Sequence, residues 1–348
     1  MQLNLVKKIL IILAAFALIS GIITAIIVLR KIYMPNIILQ NKETGYIYIR
    51  TGSSLQEVCN SLYEKNYLAN RNSFEWLAEK KGYEKQIKPG KYKIQSGMSN
   101  NELINLLRSG RQEIVRLSFN NLRFPHQIAS VFGKQLEADS TKLLQLFDDE
   151  EFLAQFEVTK ESAEVLFIPN TYYFFWNTSA EQVFKRMHSE FQNFWDKNRK
   201  NLALKIGLTP MEVITLASIV DEESNLSSEY PTIAGVYINR LKKGMPLQAD
   251  PTIKFAFGDF SIKRILIKHI EIKSPYNTYR NKGLPPGPIA MPSIKAIDAV
   301  LNYQKHKYLY FCAKADFSGH HAFATNLIQH NANARLFQRE LNRRKIYK

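Results

Sequence analysis

The stretch TPMEVITLASIVDEESNLSSEYPTIAGVYINRLKKGMPLQADPT, residues 209–252, decides how the larger part of this chain folds. It opens with the residues of a helix start. Thr209 suits the N-cap position, Pro210 suits the first helical position, and Glu212 completes a capping box. Residues 211–220 are almost all apolar, so we predict a helix that is buried on most of its sides.

Three consecutive acids, Asp221, Glu222 and Glu223, end this helix. Negative charge at a helix C-terminus opposes the helix dipole, and such a conflict between local rules is typical of functional sites. At ~100° per residue, Glu223 continues the apolar stripe of Leu216 and Ile219, whereas Glu222 lies on a more polar side. A carboxyl on an apolar face is desolvated, which raises its pKa and makes Glu223 a candidate general acid. The alternative is that all three acids are solvated surface charges.

A second helix is predicted from about Ser228 to Lys243, with Gly244 as its stop. Beyond it, Asp250 is followed by Pro251, which predicts a helix with Asp250 as N-cap and Gln248 just before it. A capping role is the structural alternative to a site role for Asp250.

At the N-terminal side, residues 9–29 form an uncharged stretch of roughly 21 residues, long enough to span a bilayer. Basic residues flank both of its ends, and no small-residue cleavage site closes it. We therefore expect a retained anchor. A short segment ahead of a single span favours an exported body.

The sequence predicts a small α+β module at residues 46–110 and a larger mixed domain at residues 113–348. In the module we expect strands at 46–50 and 88–95 and helices at 55–65, 72–81 and from Ser99 to Leu107, ended by Gly110. In the larger domain we expect a strand at 114–119, one helix at 180–199, a Pro/Gly-rich loop at 275–288, a strand at 308–313, a turn at the Gly-His-His of 319–321, and a final helix at 325–342. The aromatic run 167–176 favours the core over a sugar-stacking surface.

The composition limits the class of partner. The chain has 47 Lys and Arg against 31 Asp and Glu, a formal net charge of +16, which suits an acidic polymer or an anionic membrane surface. The basic residues are spread along the chain and no nucleic-acid-binding motif is present, so we expect no nucleic acid. The two cysteines are read as free thiols. Neither CxxC nor His-rich spacing occurs, so no metal or cofactor is predicted.

Four blocks, taken in order, resemble the YceG-like (MltG) family of membrane-anchored endolytic murein transglycosylases. They are ASIVDEES (217–224), VYINRLKKGMPLQADPT (236–252), SPYNTYRNKGLPPGPIAMPS (274–293) and HAFATNLIQHN (321–331). The resemblance implies an α+β fold with residues 1–31 as cytoplasmic stub and transmembrane anchor, 46–110 as a LysM-like subdomain, and 113–348 as the YceG-like catalytic domain. It places a single-pass protein in the inner (cytoplasmic) membrane with its catalytic domain on the extracytoplasmic side.

The resemblance also implies a chemistry. Such enzymes cleave the MurNAc-β-1,4-GlcNAc bond of peptidoglycan without water and leave 1,6-anhydroMurNAc ends, which would terminate nascent strands. Glu223 matches the second acid of the family's E-K-E-[TA] pattern, which reads D-E-E-S here. Glycan strands and the membrane are the implied partners, and peptidoglycan synthases are compatible with this function.

Supporting residues follow from the same blocks. Gln248, Asp250, Tyr276 and Asn277 match them as candidates for binding substrate or orienting the catalytic carboxyl. Arg240 is a candidate partner for a stem-peptide carboxyl or for an acid of the catalytic helix. Each has a structural hydrogen-bonding role as its alternative.

Two other functions stay open at the level of sequence. One is a hydrolytic muramidase in which Asp250 is the second carboxylate that glycoside hydrolysis ordinarily needs. The other is a non-catalytic wall-binding scaffold that recruits synthases.

Overall fold

The computed structural model describes residues 2–40, 42–262 and 264–344. Met1, Lys263 and residues 345–348, which belong to the predicted segments 1–31 and 113–348, lie outside the described residues. The chain divides into two compact units. Unit 1 runs through Arg116 and includes 135–137 and 173–178, and unit 2 comprises 117–134, 138–172 and the chain from Ser179 onward.

Unit 1 begins with a long apolar helix, α1 (Gln2–Tyr33). Its segment Leu5–Tyr33 is long and apolar enough to cross a membrane, and its large apolar side chains are almost all exposed. Water would penalise such a surface, whereas lipid would not. The length and composition expected of an anchor are therefore present.

The rest of unit 1 follows the predicted order of strand, two helices, strand and helix. The two strands pair antiparallel, with Ile47 opposite Tyr92, and the helices cover one face of this pair over an apolar core. Gly110 ends the last helix with a left-handed φ of 73°, as predicted. The elements are β1 (Thr44–Ile49), α2 (Leu55–Glu64), α3 (Arg71–Lys80), a 3₁₀ turn (Tyr83–Lys85), β2 (Gly90–Gln95) and α4 (Asn100–Ser109).

The first part of the larger domain contains one strand that was not predicted and departs from the prediction at one helix. The aromatic run 167–176 contains a strand that pairs with the strand predicted at 114–119. The single helix expected at 180–199 is two helices, because Trp195 is buried at the break and Asp196 caps the second helix. The elements are β3 (Ile114–Phe119), α5 (Pro125–Gly133), α6 (Ser140–Asp148), α7 (Glu150–Ala154), a 3₁₀ turn (Ala163–Leu166), β4 (Asn170–Phe175), α8 (Ala180–Phe194) and α9 (Lys197–Ile206).

Helix α10 (Pro210–Glu223) forms the centre of unit 2. The predicted capping box is present, since Thr209 accepts from the Glu212 N–H and the Glu212 carboxylate accepts from the Thr209 N–H. Every residue from Val213 to Val220 is buried. Around it pack α11 (Tyr230–Lys242), α12 (Asp250–Phe257) and α14 (Ile294–Leu301).

The remaining elements are α13 (Ile267–Ile270), β5 (Tyr310–Ala313), β6 (His321–Ala324) and α15 (Leu327–Arg343). Strands β5 and β6 pair antiparallel and pack against α15. The turn predicted at 319–321 was wrong at its last residue, because His321 begins β6. The N-cap predicted at Asp250 was also wrong. Ala249 holds that position, and Asp250 is the first helical residue with its side chain directed elsewhere.

Candidate active site

Two of the three acids that end α10 are held by partners on one side of the helix. Asp221 accepts hydrogen bonds from the Ser293 N–H at 2.7 Å and the Ser293 hydroxyl at 3.1 Å. Both oxygens of Glu222 lie 2.8 Å from the same Arg123 nitrogen. The acids are therefore partly buried and partnered, and the alternative of three solvated charges was wrong.

A cavity of about 690 Å³ adjoins these two acids. The carboxylate of Glu222 is neutralised by Arg123, and the carboxylate of Asp221 binds Ser293, the N-cap residue of α14. Both carboxylates are therefore already bound by donors of the protein itself. Among the described residues that line this cavity, neither acid stands in the unpaired, desolvated environment expected of a general acid.

Glu223 is placed differently. Its carboxylate accepts a short hydrogen bond from the hydroxyl of Tyr237 on α11. Burial raises the pKa of Glu223 to about 7, the nearby negative charge of Asp250 adds to the rise, and the Tyr237 hydrogen bond opposes it. The carboxyl thus keeps a proton available near neutral pH, which is the property expected of a general acid. This environment agrees with the helical position predicted for Glu223.

Glu223 opens into a cavity of about 470 Å³. Its lining residues come from the helices α10, α11 and α12 and from the strands β5 and β6 with neighbouring segments. The lining residues are Glu223, Tyr237, Arg240, Leu247, Gln248, Asp250, Tyr279, Tyr310, Phe311, Cys312, Ala313, His321 and His330. The structure thereby brings four of the six predicted site residues together, namely Glu223, Arg240, Gln248 and Asp250.

Asp250 is the second carboxylate of the cavity. It is exposed, and its Oδ1 accepts a short hydrogen bond from the hydroxyl of Tyr279. Burial raises the pKa of Tyr279, and the negative charge of Asp250 adds to this rise, so the phenol stays protonated as a donor. Glu223 and Asp250 thus each accept a hydrogen bond from a tyrosine hydroxyl, Glu223 at the end of α10 and Asp250 at the exposed start of α12.

Arg240 lines the cavity and binds several chain segments that border it. Its buried guanidinium donates to the backbone carbonyls of Pro246 at 2.9 Å and Leu309 at 3.1 Å, and also to the side-chain oxygen of Gln248. Gln248 holds a left-handed φ of 54°, a conformation that non-glycine residues rarely adopt without support. Arg240 therefore holds together α11, the segment 246–248 and the segment that contains Leu309. The arginine that pairs with an acid of α10 is Arg123, which binds Glu222.

Tyr276 and Asn277 lie outside this cavity. Asn277 is fully buried, and its amide donates to the carbonyls of Ile270 and Ile272, both at 2.8 Å. Tyr276 packs against Phe255 with ring centroids 4.7 Å apart. For both residues the geometry favours the structural alternative, in which they shape the loop after α12.

The site contains residues that sequence reasoning did not select. Tyr237 and Tyr279 are the hydroxyl partners of the two carboxylates, and His321 and His330 contribute imidazole rings to the lining. In the sequence Tyr237 lies only within the helix predicted at 228–243, and no local signal connects it to Glu223. Within the described ranges, no group of three or more His, Cys, Asp or Glu side chains could hold a metal ion.

Fold and cavity together define an α+β protein with an apolar N-terminal helix and a cavity that contains one desolvated carboxyl. The chain belongs to the YceG-like family, whose profile matches residues 47–336. The predicted family membership is thus confirmed.

Known relatives agree with this assignment. The chain is 31% identical over 307 residues to the endolytic murein transglycosylase of Bacillus subtilis, covering 84% of each chain. It is 30% identical to the protein of the same name from Streptococcus pneumoniae, covering 84% of this chain and 58% of that one. The crystal structure of a YceG-like protein from Listeria monocytogenes superposes with a TM-score of 0.55 at 28% identity, over 84% of this chain and 99% of that one.

Proposed function

We propose that this protein is a membrane-anchored endolytic lytic transglycosylase that cleaves the MurNAc-β-1,4-GlcNAc bond of peptidoglycan and leaves 1,6-anhydroMurNAc ends. The observation that carries the proposal is the carboxyl of Glu223, buried in a 470 Å³ cavity with its pKa raised to about 7. The names of the relatives from Bacillus subtilis and Streptococcus pneumoniae support the same class of reaction.

In the proposed reaction one carboxyl works twice. Protonated Glu223 donates its proton to the glycosidic oxygen as the bond from the muramyl C1 to that oxygen breaks, so the GlcNAc side leaves as an alcohol. The muramyl C6 hydroxyl forms the new bond to C1, and the Glu223 carboxylate takes up the hydroxyl proton. No water is consumed, and the carboxyl returns to its starting state. The Tyr237 hydroxyl stabilises the carboxylate formed between the two transfers, since it donates to the charged form.

The test is product analysis with the full-length chain in detergent micelles. Purified peptidoglycan is digested, and the fragments are separated and weighed by mass spectrometry. An anhydro end is lighter by one water molecule than the reducing end left by hydrolysis. The wild type is expected to cut long strands internally and to leave anhydro ends at the cuts, and Glu223→Gln is expected to leave none.

One specific observation favours a second candidate. Asp250 lines the same cavity, and a hydrolytic muramidase needs a second carboxylate to activate water. Reducing ends as the main product, lost on Asp250→Asn, would establish hydrolysis instead. A non-catalytic scaffold would produce neither end and would keep its cellular function in Glu223→Gln.

The finer predictions about location and partners stay part of the proposal. We propose that α1 anchors the chain in the cytoplasmic membrane with residues 32–348 on the extracytoplasmic side, where nascent strands are made. Strand termination and contact with synthases would follow from that position. Residues 46–110 are either a LysM-like glycan-binding module or a spacer. Weaker strand binding by a Glu223→Gln chain that lacks residues 46–110 than by full-length Glu223→Gln would favour the former.

A further inference from the structure

Glu229 and His321 form a buried pair beside the cavity of Glu223. Glu229 stands at the N-cap position of α11, but its side chain does not cap the helix. Its carboxylate instead accepts from the Nδ1 of His321 at 2.8 Å and from the His321 backbone N–H at 2.9 Å. The side chains of Glu229 and His321 are only 10% and 13% exposed, so this contact is shielded from water.

The partner of Nδ1 decides the chemical character of the other ring nitrogen. Burial raises the pKa of Glu229, but the hydrogen bonds from His321 outweigh it, and the net direction is downward. An ionised carboxylate can only accept, so the proton of a neutral His321 ring resides on Nδ1. Its Nε2 then carries a lone pair and acts as an acceptor. Within the described ranges no residue hydrogen-bonds to Nε2 of His321.

The ring of His321 belongs to the wall of the 470 Å³ cavity that also contains Glu223. Phe311 packs edge-on against it at 5.2 Å and against Tyr237 at 5.9 Å, which limits rotation of the imidazole. A ring held at one nitrogen by a buried carboxylate and at one edge by an aromatic side chain is preorganised. Preorganised polar groups in a cavity bind ligands at a lower entropic cost.

We propose that His321, oriented by Glu229, is a further substrate-binding residue whose Nε2 accepts a hydrogen bond from a hydroxyl or acetamido N–H of the bound sugar. Glu229 is then a positioning residue, because it acts on substrate only through the imidazole. This inference rests on the proposed function, since it takes a glycan strand as the ligand. It adds a hydrogen-bond acceptor to the cavity that contains Glu223.

The chain provides a matched control in His320. Its Nδ1 contacts the same Glu229 carboxylate at 3.2 Å, but its side chain is 45% exposed and does not line the cavity. His321→Asn keeps an amide N–H close to the position of Nδ1 and removes Nε2. His320→Asn makes the same chemical change one residue away. If the two variants differ in strand binding, the difference comes from the position of residue 321 in the cavity and not from a lost contact with the Glu229 carboxylate.

The experiment measures binding of uncrosslinked peptidoglycan glycan strands to the full-length chain in detergent, with Glu223→Gln as background so that no strand is cleaved. Adding His321→Asn is expected to weaken binding roughly 3- to 10-fold, the range of one neutral hydrogen bond. Adding His320→Asn should leave binding within about twofold. Equal binding by the two double variants would overturn the proposal.

A second comparison covers the case in which His321→Asn fails to fold. His321→Gln places an amide near the position of Nε2, whereas His321→Leu has a similar size without polar atoms. The proposal expects Gln to retain more strand binding than Leu, and equal losses would contradict it. The two proposals fail separately. A chain that binds strands but never cleaves them refutes the transglycosylase, while cleavage with unaltered binding by His321→Asn refutes only the role of His321.

Discussion

At the scale of single residues, Glu222 and Glu223 are neighbours in sequence with opposite environments. Glu222 forms an ion pair with Arg123. Glu223 faces a cavity and accepts a hydrogen bond from the Tyr237 hydroxyl, and its pKa is raised to about 7. One step of about 100° around the helix separates an ion-paired carboxylate from the carboxyl that we propose as the general acid.

Replacement of Glu223 by Gln is therefore expected to cost at least roughly 10²- to 10⁴-fold in the rate of glycan cleavage, the contribution of a general acid. Gln keeps the shape and accepts from Tyr237 but cannot deliver a proton. Glu222→Gln is the matched control, and we expect it to lose less than about tenfold. Rates of anhydro-end formation compare the two. Equal losses would contradict the assignment, and an inactive Glu222→Gln would shift it by one residue.

The raised pKa also predicts how stability and activity depend on pH. The folded protein holds a proton on Glu223 up to about pH 7, whereas the unfolded chain releases it near the ordinary value of 4.5. Wild-type stability is thus reduced as pH rises from 4.5 to 7. Glu223→Gln has no such proton, so its stability relative to wild type should increase across this window by roughly 2–4 kcal/mol.

Denaturant unfolding of both proteins between pH 4 and pH 8 measures that difference. A stability difference that does not change with pH would show that the carboxyl is not desolvated. Wild-type kcat/KM should correspondingly fall as pH rises above about 7, because the acid form of Glu223 is lost.

At the scale of elements, the site depends on how closely α11 packs against the chain segment after α14. A Cβ built on Gly235 would lie 2.4 Å from the carbonyl oxygen of Gln304 and 2.5 Å from a ring nitrogen of His306. Only glycine permits this close approach. The approach fixes the position of α11, and therefore the positions of Tyr237 and Arg240, which lie on that helix.

Gly235→Ala should therefore destabilise the fold by roughly 1–3 kcal/mol through overpacking, although alanine is the better helix former. Gly21→Ala is the matched control, since that helical glycine has nothing within 4 Å of the added carbon. Thermal unfolding of the two variants makes the comparison. If Gly235→Ala unfolds at the same temperature as wild type or higher, the close approach does not constrain α11.

At the scale of the whole molecule, a buried polar network joins the end of α1 to the rest of unit 1. The side-chain amide of Asn100 donates to the carbonyl of Lys31 at 2.9 Å, and Asn36 donates to Asn100 at 2.6 Å. Both asparagines are buried. The end of the apolar helix is thus held by side chains of unit 1, which favours a fixed rather than a flexible attachment at a membrane surface.

We predict that the chain has its N-terminus in the cytoplasm and everything from residue 32 onward outside it. Alkaline phosphatase fused after Lys31 should be active, and a reporter that works only in the cytoplasm should be inactive at the same junction. The opposite pattern would place both units in the cytoplasm, away from peptidoglycan, and would also contradict the proposed substrate.

The local features of this protein could be predicted from sequence. The capping box at Thr209, the apolar phase of α10, the end of α4 at Gly110 and the length of the anchor are all set by residues within a few positions of one another. Helical phase alone selected Glu223 as the desolvated acid, because a 3.6-residue period fixes which side chains share a face. The prediction was wrong where two local signals competed. At Asp196 a capping side chain divides the stretch 180–199, whose helical pattern is otherwise continuous.

The partners of the site residues were decided only by tertiary structure. Tyr237 reaches Glu223 from the next helix, Tyr279 reaches Asp250 across 29 positions, and Glu229 meets His321 across 92. Local periodicity states which face of an element is apolar but not which element will cover it. A hydrogen bond between distant residues forms because packing of the whole core brings two backbones together, and that distance is not contained in either segment alone.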